Sequence, residues 1–172
     1  MSYPRDYAVH NKEVNIGTAF VIMPIKPEFD MTLGLITEVC EELEILTQRA
    51  DDISKQDFIM SNILEGITKS EIVIVDITGS NPNVFYELGI AHSLRAKHCV
   101  IIITQESDIP KTTPFDIRHW SILQYSYNNK PLFRALLKKR INESRKFINC
   151  EEFMTRLLRS YTFEKELTRL LY

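Results

Sequence analysis

The chain has 172 residues, 44% of them hydrophobic and 26% charged, with a formal net charge of −2. That length fits one domain with a full core. No apolar run is long enough to span a bilayer and no basic-then-apolar leader opens the chain, so a cytoplasmic, membrane-free protein is expected. Its three cysteines, Cys40, Cys99 and Cys150, are widely spaced and form no CxxC or Cys/His cluster, which points to reduced core thiols and not to a metal site.

Residues 1–16 read as a lead-in. From there short apolar runs alternate with longer segments of helical period, the pattern of a parallel sheet covered by helices on both faces. Taken in chain order, strands are predicted at Ala19–Ile25, Glu44–Arg49, Ile72–Ile77, Val100–Thr104 and Ile122–Tyr125. Helices are predicted between them at Thr32–Glu42, Lys55–Lys69 and Asn83–Arg95. Together they make an α/β domain over 17–128. Residues 129–172 form a C-terminal helical extension with helices at Lys130–Arg145 and Glu151–Leu171 and a break near Ile148. From Arg134 onward there are 10 Lys+Arg against 5 Asp+Glu, so the tail is basic and the body acidic. The basic residues are mixed with leucines at helical spacing, which favours a solvated helix face or a protein-docking surface over nucleic acid, for which no binding motif is present.

For a doubly wound sheet of strand order 2-1-3-4-5, the flavodoxin-like arrangement, ligands bind beyond the carboxyl ends of the strands, between strands one and three. The rule places Met23, Pro24 and Phe29 on one wall of a crevice, and the stretch DITGSNPNVFYE, Asp76 to Glu87, on the other. Asp52, after strand two, and Phe115, Asp116 and Arg118, before strand five, open at the same end. Part of the stretch has an ordinary explanation. Asn81 can cap the helix, Pro82 can take its first position, and Glu87 can be a carboxylate favoured by the helix dipole, with Val84, Leu88 and Ala91 as the buried stripe and Gly89 allowing close approach to the sheet. A cap, however, needs only one polar residue, and here Asp76, Asn81, Asn83, Tyr86 and Glu87 converge.

The segments AFVIMPI, RADD, EIVIVDITGSNPNVFYELGIAHSL and TTPFDIRHW together resemble the nucleoside 2-deoxyribosyltransferase-like group and the bacterial TIR-like domains that share its fold. The resemblance covers roughly Gly17 to Tyr127. It implies cleavage of an N-glycosidic bond, with Glu87 matching the glutamate that attacks the anomeric carbon and Asp76 matching the strand-end acid that holds the base or sugar. It also implies an effector role in bacterial antiviral defence or toxin systems. Where the transferases carry an Asp-x-Gly-Thr pattern, this chain has Asn81-Pro82-Asn83-Val84, a neutral amide in place of a carboxylate.

The chemistry agrees with that assignment. Departure of a base from a sugar passes through an oxocarbenium-like state, which a nearby carboxylate stabilises by charge or captures covalently. A neutral base needs a proton to leave, whereas nicotinamide, cationic while attached, departs as a neutral molecule. A site with one well-placed carboxylate therefore suits NAD better than a plain nucleoside. The expectation is a hydrolase or transferase acting on a nucleotide or nucleoside, NAD among them, through catalytic Glu87 and Asp76, with no metal and no cofactor. Met23, Pro24, Phe29, Asp52, Asn81, Asn83, Tyr86, Phe115, Asp116 and Arg118 are the candidate substrate contacts. Phe29, Tyr86 and Phe115 offer stacking faces, and Arg118 a phosphate contact or a pair for Asp116. The alternative is a non-catalytic nucleotide-sensing or scaffold module using the same crevice. A homo-oligomer, or a protein partner held by the C-terminal helices, would cover the Leu-rich faces.

Overall fold

The computed structural model describes residues 14–49, 59–108, 114, 117 and 119–148. Five strands, β1 (Asn15–Ile22), β2 (Leu46–Arg49), β3 (Ser70–Asp76), β4 (Val100–Gln105) and β5 (Ile122–Tyr125), form one parallel sheet of order β2-β1-β3-β4-β5. Among the described residues four longer helices accompany them: α1 (Asp30–Glu41), α2 (Ile59–Lys69), α3 (Pro82–Leu94) and α4, residues 130–148. This is the α/β sheet that the alternation of apolar runs and helical segments predicts.

Strand alternation divides the core in two. Val21, Ile72, Ile74, Ile101 and Leu123 pack beneath α1 and α4, which contribute Ile36, Val39, Phe133 and Leu137. Phe20, Val73, Val75 and Ile102 face the other way, against Leu64 and Ile67 of α2 and Val84 and Leu88 of α3. Every residue of β3 is buried, as a central strand covered on both sides requires. The close approach of helix to sheet belongs to Gly66 on α2. A methyl group there would meet the Phe20 ring at 2.4 Å, whereas one on Gly89 would stand in open space. The predicted packing role of Gly89 is thereby corrected: it lies on the solvent face of α3.

β1 starts earlier than its apolar run because Gly17, at φ +78, carries a register shift between Asn15 and Ala19 and donates its N–H to Glu71 at 2.6 Å. It also ends earlier, at Ile22, since Pro24 turns the chain and accepts from the N–H of Lys26. Glu71 is 3% exposed and sits at the amino end of the sheet. Its carboxylate takes a two-pronged ion pair from Arg145 of α4, with Nε at 3.0 Å and Nη2 at 3.2 Å. The remaining arm of Arg145 reaches the carbonyl of Leu43 at 3.0 Å. α4 is thus fastened to the sheet from below, and on its flank Arg134 and Lys138 pair with Glu38 of α1 and Glu42 at its C-terminal cap. Cys40 and Cys99 are buried. Among the described residues no helix is long and apolar enough to cross a membrane.

Candidate functional site

The carboxyl end of β3 carries the polar stretch. Asp76 follows Ile72 and Ile74 in alternation, so its side chain turns into the α1/α4 layer, where it is fully buried. Both of its oxygens are occupied. Oδ1 accepts from the N–H of Thr78 at 3.0 Å and from its hydroxyl at 2.6 Å, and Oδ2 accepts from the Tyr125 hydroxyl at 3.0 Å. Thr78 in turn accepts from the N–H of Gln105 at 2.8 Å, which ties the ends of β3, β4 and β5 together. Beside them the Thr32 and Tyr127 hydroxyls lie 2.7 Å apart. Among the described residues no cation bonds to Asp76, so burial outweighs its hydrogen bonds and pushes its carboxyl up to about 6. Burial, followed by the neighbouring Asp76, drives the Tyr125 phenol well above its ordinary range.

The chain then turns sharply. Gly79 (φ +74) and Ser80 (φ +53) are left-handed, and the N–H of Gly79 is held by Asp108 at 2.7 Å. α3 begins as the residue types require: Asn81 is the cap, its Oδ1 accepting from the N–H of Asn83 at 2.9 Å, and Pro82 takes the first helical position.

Glu87 lies in the second turn of α3, at the border of the buried stripe made by Val84, Leu88 and Ala91. His92, five residues on, projects from the other flank of that stripe, where its ring stacks on Trp120 at 3.9 Å. Glu87 is therefore directed toward the α2 side of the layer, since α2 and α3 pack together. Its side chain is half-buried, and among the described residues no hydrogen bond or ion pair holds the carboxylate. Burial alone pushes it up to about 7. A group so placed exchanges its proton near neutrality and, once ionised, presents a charge that no described group compensates.

The predicted site residues divide accordingly. Met23 and Phe29, each 6% exposed, belong to the α1/α4 core, and Pro24 is buried beside them. Asn81, Asn83 and Tyr86 line the start of α3, with Asn83 exposed and Tyr86 57% exposed. Asp76 and Glu87 belong to opposite sides of the sheet. Asp52, Phe115, Asp116 and Arg118 lie outside the described residues. Thr78, Tyr125, Thr32 and Tyr127 were not singled out by sequence. The clue available for Tyr125 was its inward place, two residues after Leu123 in the same strand, which requires a partner for its hydroxyl. Among the described residues no group of three His, Cys, Asp or Glu side chains could hold a metal ion.

No protein-family model matches the chain, and no curated protein matches it. Among solved structures, the chain is similar to a metazoan TIR-STING receptor from C. gigas, determined in complex with 2′,3′-cGAMP, with a TM-score of 0.49 and 14% identity. The alignment covers 80% of this chain and 41% of that one, so the chain spans less than half the receptor's length.

Proposed function

We propose that the chain cleaves, or transfers at, the N-glycosidic bond of a nucleotide, with Glu87 as the carboxylate that stabilises or captures the sugar cation. The observation that carries this reading is Glu87 itself: a half-buried acid near the carboxyl end of the sheet, raised to about 7 by burial, with no partner among the described residues. Developing positive charge on the sugar would supply the missing counter-charge, so binding strengthens as the bond breaks. Asn81 and Asn83, at the start of the same helix, supply polar groups beside it, and Tyr86 an exposed ring. Asp76 takes a supporting place, because its oxygens are already spent on Thr78 and Tyr125.

That division also bears on the substrate. With Asp76 enclosed, a base that needs protonation has no free acid from β3, which favours a leaving group that departs without one, such as the nicotinamide of NAD. A role as a defence effector would follow from NAD consumption. The test is to incubate the pure protein with NAD, NADP, nucleosides and 5′-nucleotides and to follow released base by chromatography. Release from NAD or NADP in preference to neutral nucleosides supports the reading. Ligand-induced thermal stabilisation without release from any member would replace it with a nucleotide-sensing module.

A further inference from the structure

His92 lies in the last turn of α3, across the buried stripe from Glu87. Its ring stacks on Trp120, with centroids 3.9 Å apart and planes 10° from parallel. Trp120 closes the turn before β5, where its N–H reaches the carbonyl of Ile117 at 3.0 Å, and both side chains pack on the α2/α3 side of the core. The stack therefore fastens one end of the connection between β4 and β5 to α3. Asp108 fastens the other end, holding the N–H of Gly79 in the turn that leads into the same helix. Of the two fastenings, the one at Trp120 depends on an uncharged imidazole.

The surroundings of that ring favour its neutral form. Its Nε2 is buried with no hydrogen-bond partner among the described residues, so a proton there would make a charged donor with nothing to accept it. The indole already faces the Lys97 ammonium, 4.9 Å from its ring, and the His119 ring lies 6.1 Å away on the same turn. A cation at His92 would meet both. Arg95, at the cap of α3, is spent on the carbonyls of Thr68 and Glu71, and among the described residues no carboxylate acts on the ring. The C-terminal dipole of α3 favours a cation here. Burial, followed by His119, outweighs it and holds the imidazole below its ordinary value.

We infer that the stack of His92 on Trp120 is a pH-sensitive clamp: in an acidic medium protonated His92 swings out to water and releases the turn before β5 from α3. Above about 6.5, the value of a free imidazole, the ring is neutral whether stacked or released, and the clamp stays closed. Below that the released ring takes the proton first, so the clamp weakens as pH falls through the value of the stacked ring. The device makes the seating of the β4–β5 connection on α3 conditional on pH.

Trp120 is the one tryptophan of the chain, so tryptophan emission reads this contact directly. The test follows emission intensity and acrylamide quenching of the full chain from pH 8 to 5, with hydrogen exchange of the β3 amides as the check that the sheet stays folded. Intensity should titrate with a midpoint below about 6.5, and acrylamide quenching should rise about twofold or more over the same range while β3 stays protected. His92→Phe keeps an aromatic ring on the indole and cannot titrate, so both signals should stay flat. His119→Gln, at an exposed position, should leave the clamp in place and move the midpoint upward, and it decides the matter if the Phe variant does not fold. A change of intensity with no gain in quenching would mean that the protonated ring stays stacked, and would overturn the inference. So would the same transition in wild type and His92→Phe or, where that variant does not fold, a midpoint that His119→Gln leaves unmoved.

Discussion

Asp76 at the end of β3 and Glu87 in α3 are eleven positions apart, and burial raises both carboxyls, to about 6 and about 7. Their surroundings differ. Asp76 is enclosed by Thr78 and Tyr125 and joins three strand ends, whereas Glu87 has neither cation nor hydroxyl to hold it among the described residues. At the other end of β3, the buried Glu71 is met instead by the guanidinium of Arg145. The contrast separates groups consumed in making the fold from a group left available, and availability is what a reacting substrate requires.

The largest effect expected from breaking this contrast is at Arg145. Arg145→Ala leaves Glu71 buried and without its cation, which should cost about 3–5 kcal/mol in urea unfolding. A loss below about 1 kcal/mol would mean that the pair contributes little to fastening α4. Next comes Asp76. Its folded value lies above the ordinary 3.8, so the stability it contributes is complete below about pH 4 and is lost as pH rises through about 6. Full ionisation corresponds to a loss of about 3 kcal/mol. Asp76→Asn cannot ionise, so its melting temperature should lack that fall between pH 4 and 6. Parallel pH curves for the two proteins would show that Asp76 keeps an ordinary value.

Smaller effects come from α3. Asn81→Ala removes the bond to the N–H of Asn83 and should cost about 1 kcal/mol by thermal unfolding. If stability stays the same while base release disappears, the amide serves the substrate and not the helix. Gly89→Ala, on the solvent face with open space for the methyl, should stabilise by about 0.5–1 kcal/mol. Destabilisation there would mean that this face of α3 is covered.

The topology was legible because Ile72–Val75 and Val100–Thr104 are too apolar and too short to be anything but central strands between helical segments. The Asn81-Pro82 start of α3 was legible because capping is local chemistry. What could not be read was the direction in which Asp76 faces. In a strand buried on both sides the residue types no longer mark the faces, and the partner that reveals the direction, Tyr125, is 49 positions away. The pair between Glu71 and Arg145 spans 74 positions and belongs to no motif. Met23 and Phe29 read as crevice walls from their place after strand one, yet the packing of α1 draws them into the core. Glu87 stood out by its position, and burial without a partner is a property of the folded chain alone.

The most direct test of Glu87 is base release from NAD by wild type and Glu87→Gln, measured side by side from pH 5 to 9. Because the working form is the carboxylate, wild-type kcat/KM should rise with pH and level off above about 7. The Gln variant keeps the shape and loses the charge, so it should be slower by about 100-fold or more at the plateau, with its melting temperature maintained. A folded Glu87→Gln protein that releases nicotinamide at the wild-type rate would contradict the account.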